Sequence, residues 1–499
     1  MQLKELLKNI NYTEIINPLG IDINSTEIKK LSSHSRDADQ NCVFVCMVGA
    51  LVDGHKYALD AYNRGCRVFV AQHELTNLAD DALTVLVNDS RIALAKLSAA
   101  FFDFPASKMT LIGITGTKGK TTSSLLVYNI LKDNGIPAGY IGSNGVSYND
   151  VWEETLNTTP ESYSLHRHLK TMYDSGVRTV VMEVSSQALK MARVHGMKFD
   201  IGVFTNLSPD HIGEFEHPDF NDYKECKHSL FTDYGVDFIV YNADDKYSTD
   251  MISGTRAKKV SISAEGKENT DYNAEQISYD KDGHKISVAF QCNEADEAYK
   301  VELAFPGYFS VYNALTAIAI CKHLGLNTQQ IVDSMKDIRI GGRFETYALP
   351  NEATVVIDYA HNGVSLKAAL TALRKYTDKR LICLFGSVGG RTKMRRAELG
   401  LVASRDADLC ILTADNPDNE SPESIIAEIA SYFASDSCPY IAITDRAEAI
   451  KYALSISAKD DIILLAGKGH EKYQLINGIR EPFSEVDIIK EYCESYQTV

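Results

Sequence analysis

The chain has 499 residues, 44% apolar and 24% charged; that length allows two to four domains, and the composition is globular. A net charge of −16 argues against a general nucleic-acid binder, yet leaves room for an anionic nucleotide in a locally basic site. Ten cysteines show no Cys-x-x-Cys pair or zinc spacing, Met1–Ile10 has no apolar leader core, and no stretch reaches membrane-span length. A cytoplasmic protein with reduced thiols, no membrane span and no nucleic-acid partner is expected.

Residues 1–108 form a first α/β region. Cys42–Val48 and Cys66–Val70 read as strands, Tyr57–Arg64 and Ile92–Phe102 as helices. Ser33-His34-Ser35-Arg36 and Asp53-Gly54-His55 are polar turns that ordinary capping would explain. Phe104–Lys108 reads as a linker.

A second α/β region spans residues 109–337. Met109–Gly113 has the pattern of a short buried strand, and Ser123–Lys132 has helical spacing. Between them runs Gly113–Thr122, Gly-Ile-Thr-Gly-Thr-Lys-Gly-Lys-Thr-Thr. Strand, glycine loop and helix are the context of a phosphate-binding loop. Gly116 and Gly119 allow a tight turn whose N–H groups, with those of Thr117, Lys118 and Thr122, can face one anion. Lys120 can reach the β- and γ-phosphates of ATP, and the Thr121 hydroxyl can ligate Mg²⁺. Ile114 stands five residues before Gly119, where the usual pattern has glycine. An ordinary glycine-rich turn is the bland alternative, and the Gly-Lys-Thr-Thr ending favours ATP.

Arg178–Val184 and Ile201–Leu207 are β-branched runs that end in polar clusters, Glu183-Val184-Ser185-Ser186-Gln187 and Asn206-Leu207-Ser208-Pro209-Asp210-His211. Ligands bind beyond the carboxyl ends of strands in open α/β sheets, so Glu183 and His211 are candidate Mg²⁺ ligands. Either residue alone would pass as a cap or surface turn. Asn157-Thr158-Thr159-Pro160-Glu161-Ser162 offers hydroxyls to a phosphate or sugar, or simply starts a helix. Tyr223–Phe231 is helical and carries Lys227, and residues 260–300 read as a polar β excursion.

The third region, 338–499, opens at Ile340-Gly341-Gly342-Arg343-Phe344-Glu345. Strands are expected at Thr354–Ile357, Leu381–Phe385, Leu409–Thr413 and Ile462–Ala466, with helices at Ser365–Tyr376 and Ser424–Phe433. Four strand ends carry polar loops: Asp358–Asn362, Gly386–Arg396, Asp415–Asp418 and Gly467–Glu471. Four such loops on one sheet edge form a substrate or nucleotide surface.

Thr115–Thr122, Asn157–Pro160, Glu183–Ser186, Asp210-His211, Asp358–His361, Asp415–Pro417 and Gly467–Glu471, in this order and spacing, resemble the Mur ligases, and within them the UDP-N-acetylmuramoyl-tripeptide synthetase branch. The resemblance runs from Ser35-Arg36 to Tyr473-Gln474. It implies three α/β domains: an N-terminal one for UDP (1–108), a central phosphate-loop ATPase with a mostly parallel sheet (109–337) and a Rossmann-like C-terminal one for the incoming amino acid (338–499). The implied reaction joins an amino acid to the D-glutamate of UDP-N-acetylmuramoyl-L-alanyl-D-glutamate through an acyl-phosphate, as ATP becomes ADP and phosphate.

By that resemblance Lys120 neutralises phosphate, while Thr121, Glu183, His211 and a carbamylated Lys227 hold or orient Mg²⁺. Ser35, Thr158, Thr159, Ser185 and Arg193 take the UDP-sugar-peptide. Asn313, Arg343 and Asp358 take the adenosine or phosphate part of ATP. Arg396, Asp415, Asn416, Pro417, Asp418, Gly467 and Glu471 take the amino acid, with Arg396 on its α-carboxylate. A monomer is the family precedent.

Ser310 and Gln187 depart from Asn and His of relatives. A third departure bears on specificity. Members adding meso-diaminopimelate usually carry Arg after Asp-Asn-Pro, where it pairs with the second carboxylate. Here Asp418-Asn419-Glu420 follows, which would repel a carboxylate and suit an ammonium. L-Lysine is therefore the expected amine, with meso-diaminopimelate or ornithine the alternative, unless Asp418 merely caps a turn. A folylpolyglutamate-type ligase lacks a counterpart to residues 1–108, and an ATP-driven switch needs no amine pocket.

Overall fold

The computed structural model describes residues 1–49, 52–213, 216–282, 285–294, 297–390, 393–434 and 437–497. Packing divides the chain into two compact units. Met1–Ser263, Lys267–Asp271 and Thr316–Gly325 make the first; Ala264–Gly266, Tyr272–Leu315 and the chain from Leu326 onward make the second. The segments exchanged between the two units lie within 263–326.

The first unit holds two sheets. Its N-terminal sheet has the order Glu14–Ile16, Leu83–Leu86, Val68–Ala71, Cys42–Val45, Lys30–Ser32, parallel except for Glu14–Ile16. Cys42–Val45 and Val68–Ala71 are buried at every residue, which is why they read as unbroken apolar runs. The helix Ser90–Phe101 starts at Asp89, whose carboxylate accepts from the N–H groups of Arg91 and Ile92. The expected linker is the short 3₁₀ turn Pro105–Lys108.

The other sheet is built around Thr110–Thr115. Thr179–Glu183 and Ile201–Phe204 pair with it in parallel, one on each edge. Ala138–Gly142 lies beyond the first of these, and Phe238–Asn242 then Lys258–Ser263 beyond the second. Later strands were added on both sides of Thr110–Thr115, so the strand order reverses there and the carboxyl-end loops open a crevice. The phosphate loop, the Glu183 cluster and the Asn206–His211 cluster all leave from that edge. Ser143-Asn144, after Ala138–Gly142, adds another.

In the second unit a six-stranded sheet has the order Glu345–Ala348, Thr354–Asp358, Ile462–Ala466, Leu381–Phe385, Leu409–Leu412, Tyr440–Ala442, parallel except at its first pair. One face packs Leu366, Leu370, Leu399 and Ile425, the other Ile450, Leu454 and Ile489. Helices cover both faces, as a parallel sheet requires. The polar 260–300 stretch is chiefly an antiparallel set, Tyr272–Asp282, Lys285–Glu294 and Glu297–Leu303. Three α/β sheets thus stand where three α/β domains were expected.

Candidate active site

In the first unit the phosphate loop is laced to the strand end beside it. The Thr117 N–H donates to Asn206 O at 2.8 Å, the Lys118 N–H to Asn206 Oδ1 at 2.9 Å, and Thr205 Oγ1 to Lys118 O at 2.7 Å. Gly116 has φ +144°, and a Cβ there would lie 2.0 Å from Thr205 Oγ1. Gly119, at φ +87°, leads into the helix Lys120–Asp133, which carries Thr121 and Thr122. Strand lacing and these two glycines shape the loop, so Ile114 in place of a glycine is accommodated inside the buried strand. Lys120 Nζ folds back on Gly116 O and Thr117 O, at 2.9 and 3.1 Å. Lys118 Nζ lies 3.2 Å from Asp210 Oδ2; although burial opposes it, that ammonium holds Asp210 down to about 2.

Glu183 is wholly buried at the end of its strand. Its Oε1 accepts from Tyr140 Oη at 2.8 Å and from the Ser143 N–H at 2.9 Å. Its Oε2 accepts from Thr121 Oγ1 at 3.0 Å and Ser143 Oγ at 3.3 Å. No basic side chain pairs with it among the described residues. The structure therefore joins two of the expected metal-binding side chains, Thr121 and Glu183, directly. Tyr140 and Ser143 were not foreseen, although Gly142-Ser143-Asn144-Gly145 is another polar cluster after a short apolar run.

Four of the expected sugar-peptide residues, Thr158, Thr159, Ser185 and Arg193, lie in hydrogen-bonded chains that lead to Glu183. Thr158 Oγ1 lies 2.9 Å from Ser143 Oγ. Thr159 Oγ1 donates to Glu183 O at 2.8 Å and accepts from the Ser185 N–H at 3.1 Å. Ser185 caps the helix Ser186–Lys190. Arg193 donates to Thr159 O at 3.1 Å and pairs with Glu161 at 2.8 Å; burial lowers its pKa against the pull of Glu161. Ser35 sits apart from this group, buried at the start of the turn Ser35–Asp37.

His211 is exposed, with φ +57°, and its Nδ1 lies 3.0 Å from Glu216 Oε1. Lys227, on the helix Phe220–Thr232, is buried; its Nζ donates to Gly116 O at 2.9 Å and lies 4.6 Å from the Tyr223 ring centre. Burial first, and then the Lys120 ammonium, push its pKa well below the ordinary lysine value. His217, absent from the sequence reading, is fully buried between Asp222 and Ser186.

The second unit carries the other set. Asp358 Oδ2 accepts from the Phe344 N–H at 3.0 Å; burial raises its pKa and Arg343 opposes the rise. The Arg343 guanidinium lies over Tyr359, 4.8 Å from the ring centre. Asn313 is buried on the helix Tyr308–His323. Asp415, Asn416, Gly467 and Glu471 converge on Lys468, which the sequence reading passed over. Its buried Nζ lies 2.9 Å from Asn416 Oδ1, 3.1 Å from Glu471 Oε2 and 3.7 Å from Asp415 Oδ1. Asn416 Nδ2 donates to Glu471 Oε2 at 2.9 Å. Gly467 needs its glycine, because at φ +111° a Cβ would lie 2.6 Å from Asp415 Oδ2.

Arg396 and Asp418 both have partners within the protein. The Arg396 guanidinium is taken by the protein itself, donating to both oxygens of Glu420 at 2.8 and 2.6 Å and to Glu428 at 2.6 Å. It braces the loop after Pro417. Asp418 does cap a turn: Oδ1 accepts from the Gly478 N–H at 2.8 Å, and its main chain bonds Leu475 and Asn477 of the hairpin Tyr473–Ile476/Ile479–Pro482. Arg391 and Thr392, in the Gly386–Arg396 loop, lie outside the described residues.

Comparison with known proteins agrees with this layout. The Mur ligase middle domain matches residues 114–321, and the Mur ligase, glutamate ligase domain matches 342–469. A UDP-N-acetylmuramoyl-L-alanyl-D-glutamate–2,6-diaminopimelate ligase of Caldanaerobacter subterraneus is 38% identical over 491 residues, 98% of each chain. A ligase of the same name from Clostridium perfringens is 33% identical, over 99% of this chain and 100% of that one. A solved structure of a ligase so named has a TM-score of 0.69 at 24% identity, over 100% of this chain and 99% of that one. Folylpolyglutamate synthase of Mycobacterium tuberculosis, complexed with ADP, reaches 0.62 at 16% over 76% of this chain and 91% of that one. At those identities the two structures share the fold.

Proposed function

Since this chain belongs to the Mur ligase family and is an ATP-dependent ligase, we propose that it joins meso-diaminopimelate to the D-glutamate of UDP-N-acetylmuramoyl-L-alanyl-D-glutamate, a step of cell-wall peptidoglycan synthesis. The supporting observation is near-complete coverage by relatives named for that donor.

A carboxylate is a poor acyl donor, and transfer of the ATP γ-phosphoryl group gives it a leaving group. Most of the catalytic task is then to align two anions and neutralise their charge. The loop N–H groups and the start of the helix Lys120–Asp133 suit the phosphates, with Lys120 as their cation. Thr121 and Glu183 fit a divalent cation: both offer oxygen, and Glu183 is buried without a basic partner among the described residues. They would hold Mg²⁺, and the family resemblance adds His211 and a carbamylated Lys227 to that role. When bound, Mg²⁺ would offset negative charge on the phosphoryl group.

The lowered pKa of Lys227 suits carbamylation. A neutral amine attacks CO₂, an N–C bond forms, one C=O electron pair moves to oxygen, and a proton leaves the nitrogen. The cation becomes an anion. Residues 1–108, with Ser35, are assigned to the UDP end of the substrate, and Thr158, Thr159, Ser185 and Arg193 to its sugar-peptide end. Asn313, Arg343 and Asp358 are assigned to ATP. Asp415, Asn416, Gly467 and Glu471, set by Lys468, receive the amine. It attacks the acyl-phosphate carbonyl, and the tetrahedral intermediate collapses with loss of phosphate.

L-Lysine is the second reading, favoured by the acids at 418 and 420, where a cation would serve a second carboxylate. Phosphate release with ATP, Mg²⁺ and the UDP-dipeptide, offering each amine separately, decides. Turnover with diaminopimelate is expected. Turnover with lysine alone would transfer the assignment to lysine, and release indifferent to both would sink the amine-adding reading.

A further inference from the structure

His217 joins three of the loops just described. Its Nδ1 lies 2.6 Å from Asp222 Oδ2, and its Nε2 lies 2.9 Å from Ser186 Oγ. Asp222 also accepts from Lys190 Nζ at 2.8 Å, so its carboxylate is ionised and can only accept. Nδ1 must then carry a proton, and Nε2 shares a hydrogen bond with the Ser186 hydroxyl.

The main chain of the same residue closes a loop. The His217 N–H donates to His211 O at 3.1 Å, and His217 O accepts from the Gly213 N–H at 2.9 Å. His211 has a left-handed φ of +57°, which a non-glycine residue keeps only where its surroundings hold it. Ser186 is the third residue after Glu183 in sequence. Edge-on to the His217 ring, 5.2 Å between centres, stands Tyr223, whose Oη lies 3.1 Å from Thr117 Oγ1 of the phosphate loop.

We propose that His217 is a positioning residue: through Ser186, the His211 carbonyl and Tyr223 it fixes the turn after Glu183, the backbone of His211 and the phosphate loop in one arrangement. The proposal rests on the metal reading of Glu183 and His211 given above. Partners behind metal ligands commonly govern affinity for the ion by about 10- to 100-fold, although they never touch it. His217 would act in that way, by hydrogen bonding, without contact to substrate.

The test uses the full chain with ADP and Mn²⁺, and reads free Mn²⁺ by electron paramagnetic resonance. ADP affinity without metal is measured in parallel by calorimetry. His217→Ala is expected to weaken Mn²⁺ binding about 10-fold or more while metal-free ADP affinity stays within about 2-fold. Ser186→Ala, which removes one hydroxyl and leaves the fold intact, should weaken it by a smaller factor. His217→Gln, whose amide can reach Ser186, should regain part of the loss.

His211→Ala is the control for the metal reading. Loss of Mn²⁺ affinity in His211→Ala, with none in His217→Ala or Ser186→Ala, would overturn the positioning role alone. Equal loss of ADP and Mn²⁺ affinity in His217→Ala would also overturn it, as a general disruption. Wild-type Mn²⁺ binding in His211→Ala would sink the metal reading and this proposal with it. Should His217→Ala fail to fold, Ser186→Ala decides alone.

Discussion

Gly142 stands where one added carbon would do the most harm to Glu183. A Cβ there would lie 2.3 Å from Glu183 Oε1 and 2.2 Å from Tyr140 Oη. Its backbone is outside the left-handed region, so alanine meets no conformational penalty and the clash falls on those two side chains. Gly142→Ala is expected to lower kcat/KM about 10²-fold, the scale of losing a well-placed electrostatic group, at a stability cost of about 1–3 kcal/mol. Steady-state kinetics beside urea denaturation checks both numbers; an active, well-folded variant would deny Glu183 its role. Legibility in the sequence also differed from residue to residue. Lys120, Thr121 and Glu183 were legible because their motifs fix chemistry and spacing together. The partners of Asp418 and Arg396, Gly478 for one and Glu420 with Glu428 for the other, were not legible, because tertiary packing settles them. A charge in a sequence does not reveal whether the protein itself has already neutralised it.

Among elements, the helix Ser162–Asp174 carries a second concealed imidazole. His166 is buried, neither ring nitrogen has a hydrogen-bond partner among the described residues, and burial lowers its pKa to about 4. The unfolded chain, with a histidine near 6.5, binds the proton between those values while the folded chain does not. Stability is therefore fully present above about pH 6.5 and is lost as pH falls toward 4, by about 3 kcal/mol in all. His166→Leu should flatten that part of the stability profile, as urea midpoints across pH 4–7 would record; an unchanged slope would assign acid sensitivity to other groups. Elements also differed in legibility. Thr110–Thr115 and Thr179–Glu183 declare themselves by continuous β-branched or apolar residues. Ala138–Gly142 did not, because Gly139 and Gly142 dilute its strand signal, and with it went Tyr140 and Ser143.

For the molecule as a whole, the second unit ties the loops that begin at Asp415 and Gly467 to a buried ion pair. Arg446 Nε donates to Glu485 Oε1 at 2.9 Å, while its terminal nitrogens donate to Ala414 O at 3.2 Å and Ala466 O at 2.9 Å. Those carbonyls directly precede Asp415 and Gly467. Arg446→Met would strand the Glu485 carboxylate in the interior and is expected to cost about 3–5 kcal/mol, whereas Arg446→Met with Glu485→Leu should recover most of it. With two compact units, the loss belongs to the unfolding of the second, followed by hydrogen exchange across its strands. Equal losses in single and double variants would deny the pair its role. The three sheets were foreseeable from alternating strand and helix patterns. The packing division at 263–326 was not, because it depends on which faces meet.

The place of Thr110–Thr115 in its sheet has a consequence for how the chain is made. The strand leaves the ribosome before either neighbour, and neither edge can pair until Thr179–Glu183 and Ile201–Phe204 have followed. A nascent chain halted between them carries an apolar strand with unpaired edges, the state in which one polypeptide most readily captures another. Translation through residue 204, then, is an interval in which a chaperone would serve this chain.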